Sequence, residues 1–433
     1  MRIVSSTLRF RVLAALLCAG LPLVSACGGA DDNQAAEGAD VTAFEGARLI
    51  VGDESAPVEN ATFLVRDGQI VQSGASADVD VPDGATRVDL TGKTVMPAII
   101  DTHTHLRSQA RETLLEDLQR RAYYGVVAAM GLGQDVGDVP YQVRTENLPD
   151  TARFRTAGRG ITMPEPGRGE VPYWVSTEAE ARTAVQEQAA LDVDIVKIWV
   201  DDRDDMYEKL TPELYGAIIE EAHTNDLRVT AHIFELSDAK GLLLAGVDAF
   251  AHGVRDRDID EEFVTLVQER PNLVLVPNLP NRGVAVDVSW VADTVPADAL
   301  EALQAAAIDR PEAQGAFGIQ ARNLARLSAA GVRIALGTDG NTPYGPHVEM
   351  EDMVAAGMSP QDVIVAATRN SAEFMRLSDL GTVEAGKSAD FIVLDANPLD
   401  DITNTRLISA VYMRGAAVDR EGLRAGWASG GAE

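Results

Sequence analysis

From residue 95 onward the chain alternates. Short apolar runs of strand length are followed by stretches with helical periodicity, and the cycle repeats to about residue 380. The candidate strands are 96–103, 125–130, 154–158, 194–200, 228–234, 248–253, 273–279 and 332–338. Runs that are apolar throughout, rather than alternating, suit strands covered on both faces, as in a parallel sheet. Eight strand–helix units predict a closed (β/α)8 barrel. Helix starts are marked locally. Thr177 and Glu180 fit a capping box before 178–190, Thr211-Pro212 fits a cap and first-turn proline before 212–224, and Ser359-Pro360 does the same before 360–368. The Ala-rich stretch 298–330 reads as one long helix before strand eight.

Both flanks of this block are different. Residues 41–95 and 381–425 carry short strand patterns and turns, including Asp67-Gly68 between apolar runs, a hairpin signal. Neither flank is large enough to bury its own core, so they are expected to pair into one small β-sandwich built from both ends of the chain. The fold class is α/β, a TIM barrel over 96–380 with a sandwich from 41–95 and 381–425.

The N-terminus reads as an export signal over residues 1–26. Arg2, Arg9 and Arg11 precede an apolar run, Val12–Val24, that is short for a permanent span. Leu23-Val-Ser-Ala-Cys27 resembles a bacterial lipobox, which implies a lipid on Cys27, a tether over 27–40 and an outer-membrane lipoprotein facing the periplasm or the cell surface. Simple cleavage to a soluble periplasmic or secreted protein is the alternative. The chain has only two cysteines, Cys18 and Cys27, so the mature part has no disulfide and no thiol site. With a net charge of −30, the surface repels phosphate backbones and anionic lipid, which excludes nucleic acid as a partner and leaves the lipid anchor as the membrane contact. Nothing in the pattern specifies an oligomeric state.

Polar residues stand out where apolar strands end. Strand one runs into Asp101-Thr-His-Thr-His105. On a strand, residues i and i+2 share a face about 6.5–7 Å apart, and neutral imidazole is the commonest side-chain metal ligand. His232 ends strand five, His252 ends strand six and Asp339 ends strand eight. Lys197, one of only five lysines, lies inside the apolar strand Asp194–Val200. A buried ammonium is costly unless paired or neutralised. Such a lysine either pairs with a barrel carboxylate or has added carbon dioxide to become an anionic carbamate.

These residues, together with Ala245-Gly-Val-Asp-Ala-Phe-Ala-His252, Gly337-Thr-Asp339 and Gly381–Leu394, resemble the amidohydrolase superfamily, most closely its imidazolonepropionase-like and prolidase-like branch, over about 41–425. The resemblance implies two divalent metals, zinc by preference. His103, His105 and Asp339 would hold one, His232 and His252 the other, with carboxylated Lys197 and a hydroxide bridging them. It implies cleavage of an amide C–N bond in a small molecule of the dipeptide or N-acyl amino acid type, with Asp339 moving the proton. Lactone or phosphotriester hydrolysis on the same site is an alternative, and a solute-binding lipoprotein without catalysis is another.

Loop residues offer substrate contacts. Tyr173, beside Trp174, either stacks on substrate or covers the barrel mouth. Arg255 either clamps a carboxylate or joins a salt bridge within Arg255–Asp258, the plainer reading. His347, in the stretch after Asp339 with Tyr344, is placed to hydrogen-bond substrate. His223 reads as a helix-end residue, and Asp201-Asp-Arg-Asp-Asp205 as a solvated loop.

Overall fold

The computed structural model describes residues 40–430. The export signal, Cys27 and most of the tether lie outside them. No helix among the described residues is long and apolar enough to cross a membrane.

Eight strands follow the predicted order: Ile99–Thr104, Val126–Gly131, Arg153–Thr156, Val196–Val200, Val229–Ile233, Ala249–Ala251, Val274–Val276 and Arg333–Ile334. Neighbours along this series pair in parallel, from strand one to three and from strand four to eight. Backbone bonds close the ring. The Asp194 N–H donates to the Thr156 carbonyl (2.9 Å), and between strands eight and one Thr102 N–H donates to Leu336 (2.9 Å) and Thr338 N–H to His103 (3.1 Å). Ile100, Ala128, Ile198, Ala231, Ala249 and Leu275 on these strands are all buried, as expected of a parallel sheet covered on both faces.

The helix signals were legible. Helix Glu178–Ala190 has its capping box, Thr177 accepting from Glu180 N–H and Glu180 reaching back. Helix Pro212–Thr224 is capped by Thr211, and Pro360–Val365 by Ser359. The expected single helix over 298–330 is instead two, Ala297–Ala306 and Pro311–Ala329. Pro311 has no N–H and its ring would clash with the carbonyl four residues back, so it starts a helix rather than continuing one.

Strands from both ends of the chain share one hydrogen-bonded sheet. Val41–Leu49, Val58–Arg66 and Gln69–Ala75 form a meander, and Thr94–Pro97 lies between Val41–Leu49 and Phe391–Leu394. The sheet curls over its own core, where the Phe44, Phe63 and Phe391 rings touch at centroid distances of 4.9 to 5.1 Å. Thr94–Pro97 runs almost directly into strand one, so this sheet braces the strand that carries His103 and His105.

Candidate metal centre

The two histidines of strand one lie with ring centroids 5.3 Å apart, His103 buried and His105 partly open. Opposite them, Asp339 has left strand eight with φ +53°, a left-handed conformation that Asp tolerates better than most residues. Its Oδ1 is 3.0 Å from His103 Nε2 and 2.9 Å from His105 Nε2, and its Oδ2 is 3.5 Å from His252 Nε2. One donor atom from each of His103, His105 and Asp339 fits within 4.8 Å of the other two, as ligands of one ion must. His252, with φ +128°, has its ring 5.3 Å from His103 and 4.6 Å from His232.

Gly337 permits this approach: a Cβ there would come within 2.7 Å of His103 Cβ and 2.5 Å of Val276 Cγ1. Asp101, fully buried, ties the two strands together by accepting from the backbone N–H of His103 (3.3 Å) and from Thr338 Oγ1 (2.8 Å). Burial raises its pKa to about 6, against the opposing field of Arg121.

Lys197 is fully buried, and its Nζ has no hydrogen-bond partner among the described residues. Of the two readings of this lysine, the one in which a barrel carboxylate hydrogen-bonds to it is not met. Burial brings the amine down to about 7; Asp339 opposes this, and the Arg255 and Arg203 charges add to it. Burial likewise lowers His103 to about 4 and His232 to about 3, and takes His252 well below its ordinary value. The three imidazoles are therefore neutral near pH 7 and the Lys197 amine is about half so, with lone pairs available. Burial works against the Asp339 carboxylate, yet the His103, His105 and His252 rings hold it well below the usual range. Neutral imidazoles, an ionised carboxylate and an unpaired amine in one pocket form a donor set suited to divalent cations.

Several residues at the site were not singled out from sequence. Asn278 Oδ1 is 3.0 Å from His103 Nδ1, and the Asn278 loop is held by Glu349, which accepts the Leu279 N–H at 3.0 Å. Asp201, read as part of a solvated loop, is instead packed against His232, with Oδ2 2.8 Å from Nε2. Arg203 pairs with Asp201 and with the buried Glu165. These charges turn inward because the loop after strand four folds back over the barrel mouth.

The expected substrate residues divide. Arg255 does not join the local salt bridge: Asp256 pairs with Arg257 and Asp258 with Arg322, while Arg255 Nε is buried without a partner. Its charge acts on Lys197, His232 and His252. Tyr173 faces elsewhere. It lines an open groove against helix Glu178–Ala190 with Thr183 and Glu187, and Arg159 stacks 4.0 Å above its ring. His347 is also corrected: it is buried, with Nδ1 3.0 Å from Thr405 Oγ1 and Nε2 2.9 Å from the Tyr124 carbonyl, so both nitrogens are occupied inside the fold. His223 is the helix-end residue expected, 2.9 Å from Asp248.

Known proteins resemble this arrangement. A model of the amidohydrolase family matches residues 156–418. An imidazolonepropionase from Agrobacterium fabrum is 29% identical over 376 residues, covering 78% of this chain and 85% of that protein. A solved structure assigned as a prolidase, from Bifidobacterium longum, superposes with a TM-score of 0.73 at 28% identity, covering 90% of this chain and 99% of that one. A Xaa-Pro dipeptidase with bound methionine in its active site has the same fold, with a TM-score of 0.69 at 22% identity over 87% of this chain and 99% of that one. The chain belongs to the amidohydrolase family and is a metal-dependent hydrolase acting on carbon–nitrogen bonds.

Proposed function

We propose that this enzyme is a binuclear amidohydrolase that cleaves the amide bond of a small carboxylate-bearing substrate, a dipeptide or an N-acyl amino acid. The observation that carries the reading is Lys197, a buried amine with no hydrogen-bond partner among the described residues and only the Trp199 ring 5.3 Å from its Nζ, among three buried imidazoles and the Asp339 carboxylate. His103, His105 and Asp339 would hold one divalent ion and His232 and His252 the other, zinc suiting this nitrogen and oxygen donor set. An amine with a pKa of about 7 keeps much of its lone pair free at neutral pH. That lone pair can form an N–C bond to carbon dioxide with loss of one proton, giving a carbamate anion able to lie between two cations. The nearby Arg255 and Arg203 charges favour an anion there.

Bound metals supply Lewis acidity and lower the pKa of water held between them. The chain's own residues do the rest. Asp339, kept ionised, accepts a proton from the nucleophile and returns it to the leaving nitrogen. Arg255, partly buried and with no side-chain ion pair among the described residues, serves as a clamp for the substrate carboxylate. The prolidase assignment of the Bifidobacterium longum structure supports a dipeptide-like substrate. The lipobox-like Leu23–Cys27 supports an exported lipoprotein that meets such molecules outside the cytoplasm. Labelling with a radioactive fatty acid, lost in Cys27→Ala, tests that placement.

The central test is the metal content of protein produced with zinc and bicarbonate, beside Lys197→Ala, followed by hydrolysis of a dipeptide and N-acyl amino acid panel. About two metals per wild-type chain, reduced in the variant, is the expected result. A folded wild-type protein that takes up no metal would favour a non-catalytic binding protein instead.

A further inference from the structure

Two loops close over His232, and one of them is strained. In Asp201-Asp-Arg-Asp-Asp205, residues Arg203, Asp204 and Asp205 have φ of +57°, +59° and +59°. Asp tolerates this region better than most residues, so the cost, roughly 1–2 kcal/mol, falls mainly on Arg203, and the turn is held by tethers. Arg203 Nε reaches the buried Glu165 at 3.2 Å, and Tyr207 Oη donates to the Pro166 carbonyl at 3.2 Å. Lys209 Nζ pins the far end of the loop to Glu235 (2.8 Å) and Asp238 (2.9 Å). What the turn achieves is the placement of one carboxylate: Asp201 Oδ2 lies 2.8 Å from His232 Nε2, with both side chains about one-tenth exposed.

The position of the ring proton follows from the neighbours of that nitrogen. Arg203 Nη1 donates to the same Oδ2 and is 3.1 Å from Nε2. If Nε2 carried the lone pair, Arg203 Nη1 could donate to it at 3.1 Å, but its nearer neighbour, the Asp201 carboxylate oxygen at 2.8 Å, would set two acceptors in contact. If Nε2 carries the hydrogen, it and Arg203 are two donors converging on one oxygen, which is the satisfied arrangement. The lone pair is then on Nδ1, which has no protein partner among the described residues.

We infer that Asp201 is a positioning residue of the active site: it holds His232 as the Nε2–H tautomer and so assigns Nδ1 as the nitrogen offered to a metal. A carboxylate behind a ligand histidine fixes the ring's rotation and raises the basicity of its free nitrogen. The strained turn and its ion pairs are the scaffold that keeps this carboxylate in place. The tautomer is a property of the protein alone, whereas the consequence for metal binding rests on the metal centre proposed above.

The experiment uses the full chain labelled with 15N-histidine, with His232→Gln identifying the signal of interest among six histidines. In chelator-treated wild type, His232 is expected as the Nε2–H tautomer. Asp201→Ala is expected to lose that preference and Asp201→Glu to restore it. On zinc titration against a chelator, Asp201→Ala should bind one of the two ions roughly 10–100-fold more weakly. Its kcat should fall more than its KM rises, while circular dichroism and melting temperature stay near wild type. Should the alanine variant fail to fold, Asp201→Leu, close in size and without an acceptor, takes its place with the same expected direction. An Nδ1–H tautomer in wild type, or a variant whose zinc affinity is unchanged, overturns the inference. The expected tautomer in a wild-type protein that takes up no zinc would overturn the metal centre and leave the tautomer assignment standing.

Discussion

Asn278 Oδ1 lies 3.0 Å from Nδ1 of His103, at the end of the strand beside the one that carries Asp339. An amide oxygen accepts, so Nδ1 carries a hydrogen, and Nε2 of this buried ring is aimed at Asp339 Oδ1, 3.0 Å away, the side on which a cation would be shared by the two groups. Asn278→Ala leaves a buried donor unsatisfied, at a cost of about 1–3 kcal/mol, and frees the ring to rotate. Zinc affinity, read by chelator competition, is expected to fall roughly 10–100-fold. Unchanged affinity would mean that Asn278 does not orient the ring.

Lys197 makes the metal-free protein's stability depend on pH in a definite direction. Its folded pKa, about 7, is below the ordinary 10.5, because burial disfavours the charged form. Between those values the unfolded chain binds more protons than the folded one, so stability rises with pH through this window, by at most about 1.4 kcal/mol per pH unit. Urea unfolding of chelator-treated protein at several pH values between 7.5 and 9.5 should show this rise. Lys197→Met should flatten it and be more stable than wild type at the lower end. Parallel curves for the two proteins would show that the amine is charged or hydrated in the fold.

Removing Arg255 should cost substrate binding. A charge-assisted hydrogen bond contributes about 1.5–3 kcal/mol, so Arg255→Ala should lower kcat/KM roughly 10–150-fold for substrates with a free carboxylate. The loss should appear mainly in KM. Amidated analogues should lose far less, and an equal loss for both classes would remove the clamp role.

Gly337 gives the simplest steric test. A methyl group there meets His103 Cβ and Val276 Cγ1 well inside van der Waals contact, whereas at Gly340 the nearest atom is 3.7 Å away. Gly337→Ala should destabilise the protein by about 1–3 kcal/mol and deplete bound metal. Gly340→Ala should do neither, as judged by melting temperature and metal analysis.

Much of the site was legible because barrel strands write it plainly. His103, His105, His232, His252 and Asp339 each interrupt or end an apolar run, and Lys197 lies inside one, so the pleat that buries their neighbours also gathers them. The fold followed from the same alternation. What the sequence withheld is in the loops. Asp201 and Arg203 turn inward through three left-handed residues, a path that no periodicity announces. Tyr173 and His347 carry the right chemistry near the right strands, yet one packs on an outer helix and the other spends both nitrogens inside the fold. The break at Pro311 was readable, since proline marks a helix start more often than a helix middle.

Thr94–Pro97, which leads into His103 and His105, pairs on one side with Phe391–Leu394. During synthesis that partner leaves the ribosome only after all eight barrel strands have been made. The segment that leads into the histidine strand thus keeps an open edge until the C-terminal strands have been made. By then every residue proposed to hold a metal has been synthesised, so what the last strands add is the brace beneath His103 and His105 rather than a ligand.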